Sequence, residues 1–264
     1  VVNVIGNPTL IISEPAGVCE PDGIDLTAPA ITAGSDAGTL TYWSDALATT
    51  SLANASNVTN GSVYFVQLEN SIGCQSISAV NVVFNVIPEL ISFVGGDAYC
   101  IGEAVLDIEA NVTGTADFIL QYTLDGSSQT ITSATSTINL GNTEGTYVLT
   151  SLSDANCIVS LNDTQVITVN NIPNAPIVSP DATYCEGEVL SEILATDLGG
   201  VYTWYSDVAL SNVLSTNAAI VPFENIGQTV YYVTESNNGC EGLSNSVTIT
   251  IENCEITIPT AFTP

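Results

Sequence analysis

Lysine, arginine and histidine are all absent from the 264-residue sequence, which carries 28 Asp and Glu residues and a formal net charge of −28. This absence excludes DNA and RNA binding, because proteins neutralise phosphate groups with Lys and Arg. It also disfavours binding to an anionic membrane surface, which attracts the same side chains. Each carboxylate is therefore expected to lie in water, to accept backbone N–H bonds or to bind an external cation.

The same absences remove most catalytic machinery. A Ser-His-Asp triad, a Schiff-base lysine and an arginine clamp all require residues that the chain lacks. Paired carboxylates could still hydrolyse glycosides, but nothing in the sequence singles out one pair among the acidic residues. We therefore expect a protein that is not an enzyme. Methionine is absent too, which removes a main target of oxidation.

Long apolar runs are also missing, since no run approaches the roughly 18–20 residues of a membrane span. The chain is nevertheless 45% hydrophobic with a mean hydropathy of +0.36, which indicates folded domains and argues against disorder. Neither a signal peptide nor an initiator Met opens the sequence, so we expect it to be a mature or excised piece of a longer protein.

A threefold repeat is the main positive feature. The third copy contains YCEGE, YTWYSD and TVYYVTESNNGC, and weaker versions of these motifs occur twice upstream. Two cysteines lie about 55 residues apart in each copy, and the copies recur about every 83 residues, a spacing typical of stacked folding units. The sequence therefore predicts three similar modules of roughly 80 residues.

Proline marks each predicted junction, at Pro8, Pro88 and Pro173, and favours short, extended connections. The predicted divisions are 1–7 as the last strand of a preceding module or an exchanged strand, 8–87 as module 1, 88–172 as the divergent module 2, 173–252 as module 3 and 253–264 as the start of a following C-terminal module.

Short alternating or apolar runs separated by Gly, Ser, Asn and Asp clusters fill each module, and no segment shows a helical period. Strands of this length and spacing predict an all-β fold of tandem immunoglobulin-like antiparallel β-sandwiches in a rod-like array. The motif LDG at 124–126 predicts a tight β-hairpin.

Seven cysteines occur with no CxxC pair, which argues against a metal site. Their repeated spacing predicts one disulfide within each module, each worth about 4 kcal/mol for a loop of about 55 residues. The predicted pairs are Cys19 with Cys74, Cys100 with Cys157, and Cys185 with Cys240. Cys254 is left over as the unpaired cysteine, either free, intermolecular or bonded to a residue after Pro264.

The aromatic motifs allow two interpretations. Trp43 and Trp204 are predicted to fill the cores of their modules, which is the usual role of such a residue in a sandwich strand. Because side chains alternate along a strand, Tyr202, Trp204 and Tyr205 cannot all face one core. Tyr202 and Tyr205 are therefore candidate exposed contacts, for example for a surface glycan.

Calcium is a better chemical candidate than catalysis, since Ca²⁺ is a hard cation that takes carboxylate and carbonyl oxygens as ligands. Acidic residues alternate after the first cysteine of each repeat: Glu20 and Asp22, Glu103 and Asp107, Glu186 and Glu188. No EF-hand loop is present, and solvated surface carboxylates are the favoured interpretation. We predict no cofactor and no structural metal, with weak Ca²⁺ binding at module junctions as the alternative.

The motifs YCEGE, YTWYSD and TVYYVTESNNGC resemble the immunoglobulin-like repeats that accompany gliding-motility-type C-terminal domains in Bacteroidetes surface proteins. The likeness is good over module 3, fair over module 1 and weak over module 2. ITIPTAFTP, at 256–264, is similar to the opening of that C-terminal domain, which directs export by the type IX secretion route and attachment to the cell surface. The resemblance implies an extracellular location at a bacterial surface.

These observations favour a non-catalytic structural stalk or fibre segment of an extracellular adhesin. Its partners would be other modules of the same protein, or copies of itself in a fibre. The alternative is a self-assembling filament subunit, in which a terminal strand such as VVNV or ITIPTAFTP completes the sheet of a neighbour. A carbohydrate-binding module that uses exposed aromatic rings is less favoured.

Overall fold

A computed structural model describes residues 6–196 and 199–254. Every regular element within these ranges is a β-strand, which confirms the all-β class. No helix capable of crossing a membrane occurs in the described ranges. The hypothesised exchange strand VVNV and the segment ITIPTAFTP lie outside the described residues.

Within residues 6–196 and 199–254, twenty-three strands follow one another. The first thirteen are β1 Val18–Cys19, β2 Thr39–Trp43, β3 Ser62–Glu69, β4 Gln75–Val82, β5 Phe84–Asn85, β6 Glu89–Val94, β7 Ala98–Cys100, β8 Ile108–Thr113, β9 Phe118–Leu124, β10 Ser127–Ser133, β11 Thr137–Gly141, β12 Gly145–Ser153 and β13 Ile158–Ser160. The remaining ten are β14 Thr164–Asn170, β15 Ile177–Val178, β16 Ala182–Cys185, β17 Ile193–Thr196, β18 Val201–Tyr205, β19 Val213–Ser215, β20 Ala219–Ile220, β21 Gly227–Asn237, β22 Cys240–Glu241 and β23 Asn245–Glu252.

The strands belong to two compact units. Unit 1 comprises Val1–Gly96 and Asp107–Gln165, and unit 2 comprises Asp97–Leu106 and Val166–Pro264. The residues predicted as module 2 are thus shared between the two units, and the module boundaries stay a prediction.

Unit 1 contains two antiparallel arrangements of the same kind. In the first, β3 lies between β2 and β4. Along β3, Tyr64, Val66 and Leu68 are buried and the preceding Val63 is exposed, as strand alternation requires. We call the buried cluster around this sheet the N-terminal core; it consists of Ile24, Leu26, Ile31, Val58, Tyr64, Val66, Val80 and Val82.

The second arrangement of unit 1 has β8 between β6 and β11, and β9 between β10 and β12, with β13 on β12. The predicted LDG hairpin is confirmed. Asp125 and Gly126 both have positive φ, 49° and 80°, and connect Leu124 of β9 directly to Ser127 of β10. Positive φ at both central residues is the property of the tight hairpin turn for which Asp-Gly is favoured.

Unit 2 is organised around its longest strand, β21, which lies between β18 and β23. A second, smaller sheet of β15, β17 and β20 faces it across an apolar cluster. We call this cluster the C-terminal core; it consists of Ile193, Ala195, Trp204, Tyr231, Val233, Val247, Ile249 and Ile251. Alternate residues of β23 supply three of its members, which explains the alternating sequence there.

One feature departs from the purely antiparallel expectation. In each repeat a short strand that ends at the first cysteine pairs in parallel with the last strand: β1 with β5, β7 with β14, and β16 with β23. This placement sets the position of the first cysteines.

Candidate functional site: disulfide junctions between repeats

Each first cysteine lies on the parallel edge strand, opposite a residue near the end of the last strand. Cys19 is opposite Asn85, Cys100 is opposite Asn170, and Cys185 is opposite Glu252. The three edges are held in the same way, because the residue after the cysteine donates its N–H to that opposite residue's carbonyl oxygen. The N···O distances are 3.1, 2.9 and 2.8 Å from Glu20, Ile101 and Glu186 respectively.

A tight turn follows each first cysteine. The carbonyl oxygens of Cys19, Cys100 and Cys185 accept hydrogen bonds of 3.0 Å from the N–H three residues later. In two repeats the acidic residue at that position also accepts from the cysteine N–H: Glu103 Oε2 from Cys100 at 2.7 Å and Glu188 Oε2 from Cys185 at 2.8 Å. These carboxylates therefore stabilise turns.

The alternative of Ca²⁺ binding would require a cluster of metal-ligating side chains, and the described residues contain none. None of them form a group of three or more Asp, Glu or Cys side chains with metal-binding geometry. Weak binding of Ca²⁺ stays a prediction of the sequence.

The second cysteine of each repeat lies in the turn after a long core strand. In the second repeat Asp154, which is 9% exposed, organises this turn. Its Oδ1 accepts from the N–H groups of Asn156 at 2.8 Å and Cys157 at 2.7 Å, and its Oδ2 accepts from Thr115 at 2.8 Å. Burial raises the pKa of the Asp154 carboxyl, but the three backbone hydrogen bonds outweigh burial and hold that pKa below its ordinary value.

Asn70 performs the same task in the first repeat. Its Oδ1 accepts from the N–H groups of Ile72 at 3.2 Å and Cys74 at 3.0 Å. In the third repeat the turn is a two-residue Asn-Gly hairpin, with positive φ at Asn238 and Gly239, and it places Cys240 opposite Asn237.

The structure pairs the cysteines between repeats, so the predicted pairing within repeats is wrong. Cys19 bonds Cys157, 138 residues away, and Cys100 bonds Cys240, 140 residues away. Cys254 is also not the unpaired residue, because it bonds Cys185. Among the described residues Cys74 is the free cysteine.

Strand geometry explains the correction. Cys74 directly precedes β4, whereas Cys19 lies beside Asn85 at the far end of β5. An extended chain rises about 3.3 Å per residue, so these two positions, 11 residues apart along β4 and β5, are about 35 Å apart along the sheet. A disulfide requires Cα atoms within about 7 Å. Cys240 and Cys185 are separated in the same way by β23.

The equal spacing of the cysteines therefore revealed the sequence repeat but did not reveal which cysteines form disulfides. The two cysteines of one repeat lie at opposite ends of the sandwich and do not meet, and Cys19 and Cys100 instead bond the turn cysteine of the next repeat. The 4% and 1% exposure of Cys157 and Cys240 shows how fully the two junctions enclose the turn cysteine. The cleft beside Cys19 and Cys157 measures about 410 Å³, and both Asp22 and Asp154 line it.

The predicted aromatic contacts are corrected in one respect. Trp204 is fully buried in the C-terminal core and donates from Nε1 to the Asn217 carbonyl oxygen at 3.0 Å, which confirms its predicted core role. Tyr205 is 6% exposed and therefore does not offer a ring to a ligand. Its hydroxyl donates to Glu241 Oε1 at 2.6 Å, so it is covered on the opposite face by the β22 turn. Tyr202 is half-buried.

The core prediction for Trp43 is wrong. Trp43 is half-buried, and its Nε1 donates to the neighbouring Thr41 hydroxyl at 3.0 Å. Tyr42, one residue earlier, packs against the N-terminal core instead.

Glu235 is a residue of interest that the sequence reasoning missed. It is 1% exposed on β21, its Oε1 accepts from the Gly200 N–H at 2.7 Å, and its Oε2 has no hydrogen-bond partner. The corresponding residue of β3 is Leu68, since Leu40 pairs with Leu68 where Tyr202 pairs with Glu235. Aligning the repeats on their tyrosines would have found this acid at an apolar position.

Comparison with known proteins supports the fold. Residues 173–252 match the family model described as "Ig-like domain CHU_C associated", which supports an Ig-like domain of the Bacteroidetes type there. An I-band fragment of titin is 13% identical with a TM-score of 0.50, covering 94% of this chain and 100% of the fragment. The N-terminal eight Ig domains of Down Syndrome Cell Adhesion Molecule are 16% identical with a TM-score of 0.56, covering 95% of this chain and 37% of that one. No curated protein sequence matches.

The chain therefore consists of tandem immunoglobulin-like domains. Three disulfides in one chain indicate an extracellular or secreted protein.

Proposed function

We propose that the chain is a non-catalytic stalk segment of a bacterial cell-surface adhesin, in which disulfides brace successive repeats against extension. The observation that carries the proposal is the interlaced pair Cys19–Cys157 and Cys100–Cys240, each of which joins consecutive repeats. The resemblance of the third repeat to Bacteroidetes surface modules supports the location, with export by the type IX route.

The mechanism is the shortening of the covalent path. A pulling force that enters at the N-terminus passes through the Cys19–Cys157 bond, then through residues 157–185, and leaves through the Cys185–Cys254 bond. Only about 60 residues of backbone lie on this path, which can extend to about 200 Å at about 3.5 Å per residue. The reduced chain of 264 residues can extend to about 900 Å. The repeats therefore cannot be pulled out even when their strands separate.

Single-molecule stretching between N- and C-terminal handles tests this mechanism. We expect a maximum extension of about 200 Å in the oxidised protein and about 900 Å after reduction. Cys74→Ser is the matched control, since it removes a cysteine outside this path and should leave the oxidised value unchanged. An oxidised extension of about 340 Å would instead indicate bonds within each repeat and would contradict the proposal.

The location is tested on the organism that makes the protein. Antibodies against the folded chain should label intact cells. Labelling that requires cell lysis would overturn the surface assignment without affecting the mechanical one.

A further inference from the structure

Cys74 occupies a position that is bonded in both other repeats. Its equivalents, Cys157 and Cys240, each bond the first cysteine of the repeat before them, Cys19 and Cys100 respectively. The turn around Cys74 is also built like the turn around Cys157, with an Asn70 side chain in place of Asp154. Cys74 is half-buried, whereas its two bonded equivalents are almost fully enclosed. Cys74 thus belongs to a junction whose other half is not filled within the described residues.

The complementary half-junction is present at Cys185. Its edge strand is fixed to Glu252 as those of Cys19 and Cys100 are fixed to Asn85 and Asn170. In both complete junctions the sulfur of the turn cysteine lies near that opposite carbonyl oxygen, at 3.7 Å from Asn85 and 3.9 Å from Asn170. Cys185 instead bonds Cys254, two residues after Glu252.

We propose that Cys74 of one chain bonds Cys185 of a second copy and thereby extends the order of junctions from chain to chain. The bond would join a first-strand cysteine to the turn cysteine of the next repeat, as Cys19–Cys157 and Cys100–Cys240 already do. This inference goes beyond the stalk function, because its partner is another copy of the same chain.

The chemistry is thiol–disulfide exchange and needs no oxidant. The Cys74 thiolate attacks Cys185 Sγ of the second copy, a new Cys74–Cys185 bond forms, and the Cys185–Cys254 bond breaks. The electron pair leaves on Cys254 Sγ, which takes up the proton that Cys74 lost. One thiol and one disulfide are present before and after the step.

The resulting contact is head-to-tail. Each copy offers Cys74 to one neighbour and Cys185 to another, and such a heterologous contact gives an open chain when the rotation does not close a ring. Covalent exchange would therefore build linear polymers, a route different from the strand addition of the alternative filament hypothesis.

Charge opposes the encounter between copies. Glu186, Glu188 and Glu224 line the cleft of about 260 Å³ beside Cys185, and Glu69 precedes the turn of Cys74. The complete junction of unit 1 shows that acidic residues are tolerated, since Asp22 and Asp154 share its cleft. Salt should speed the exchange, because about 1 M salt shortens the screening length to about 3 Å.

The test incubates the purified, intact chain at mildly alkaline pH and about 1 M salt without added oxidant. Non-reducing gels should show a ladder at multiples of 27.4 kDa, and the thiol content should stay at one per chain while the ladder grows. Peptide mapping should find Cys74 bonded to Cys185 and Cys254 newly open to alkylation. Cys74→Ser should abolish the ladder.

Cys254→Ser provides a second, independent variant. It leaves Cys74 and Cys185 as thiols, so its ladder should require oxidised glutathione and should consume thiols. Either of two results overturns the proposal: no covalent species in the wild-type chain, or dimers alone, joined through Cys74–Cys74 with a loss of thiols. Mapping Cys19–Cys157 and Cys100–Cys240 in the same sample shows whether the stalk mechanism stands independently.

Discussion

The first and third repeats carry the same aromatic pair, one Tyr and one Trp, in opposite order. In both repeats it is the first residue of the pair that faces the core, whichever residue type it is. In TYWSD, Tyr42 packs on the N-terminal core and Trp43 is half-buried outside it. In TWYSD, Trp204 is fully buried in the C-terminal core, and Tyr205 is buried on the opposite face. Strand alternation, not the size of the ring, decides which residue enters the core.

The comparison extends along the neighbouring strand and to the turn that follows it. Leu68 in the first repeat is replaced by Glu235 in the third, and both are almost fully buried. Cys74 is free where Cys240 is bonded. Equivalent positions in the two repeats thus lie at the same place in the strand or turn, but their side chains differ in their hydrogen bonds and disulfides.

The largest expected difference lies at the turn cysteines. Replacing Cys100 and Cys240 together by Ser should lower the free energy of unfolding by about 5 kcal/mol, because their bond closes a loop of more than 100 residues. Cys74→Ser removes no bond and should cost less than about 1 kcal/mol. Denaturant titration of the oxidised proteins measures both. Equal losses in the two variants would show that Cys74 is bonded.

The next difference concerns the two tryptophans. Trp204→Ala should cost about 4 kcal/mol, since it leaves a large cavity in the C-terminal core. Trp43→Ala should cost less than about 1 kcal/mol at its half-buried position. Acrylamide, a neutral quencher, should reduce the fluorescence of the Trp204→Phe protein strongly and that of the Trp43→Phe protein weakly. The reverse order would contradict the strand alternation described here.

The equivalent buried positions Leu68 and Glu235 allow each residue to be substituted by the other. Leu68→Glu should destabilise by about 3 kcal/mol, because it buries a carboxylate with no cation available. Glu235→Leu should stabilise by about 1 kcal/mol, since removing an Oε2 without a partner outweighs the loss of one hydrogen bond from Gly200. Thermal melting of both variants is the measurement. A destabilised Glu235→Leu protein would mean that Glu235 has a partner in the folded protein in solution.

The smallest expected effect is a difference in pH dependence between Asp154 and Asn70, the two side chains that accept N–H bonds in the cysteine turns. Because the pKa of Asp154 lies below the ordinary value of 3.8, the charged carboxylate stabilises the fold above that pH, and the contribution is lost as pH falls through the lowered pKa. Asp154→Asn should cost about 2 kcal/mol at neutral pH and little in acid. Asn70→Ala should cost about 1 kcal/mol at every pH, since an amide does not titrate. An Asp154→Asn loss that does not shrink as pH falls below 3.8 would contradict this account.

Local chemistry made most of the fold predictable. Short runs of β-branched and aromatic residues bounded by turn residues predict strands, and β2 Thr39–Trp43 and β18 Val201–Tyr205 lie in two such runs. The Asp125-Gly126 hairpin followed from its requirement for positive φ.

The junctions were not predictable in the same way. Whether Cys19 meets Cys74 or Cys157 depends on which end of the sandwich each occupies, and this follows from the parallel pairing of β1 with β5, a long-range contact. Likewise, the burial of Tyr205 depends on the β22 turn that folds back over it, 36 residues further along the chain. Spacing in sequence carries neither piece of information.

Disulfide mapping of the native, alkylated protein tests the central claim most directly. Trypsin is of no use on a chain without Lys or Arg, so Asp- and Glu-directed proteases with chymotrypsin should release the linked peptides. We predict Cys19 linked to Cys157, Cys100 to Cys240 and Cys185 to Cys254, with Cys74 alkylated. Links of Cys19 to Cys74, Cys100 to Cys157 and Cys185 to Cys240, with Cys254 alkylated, would contradict it.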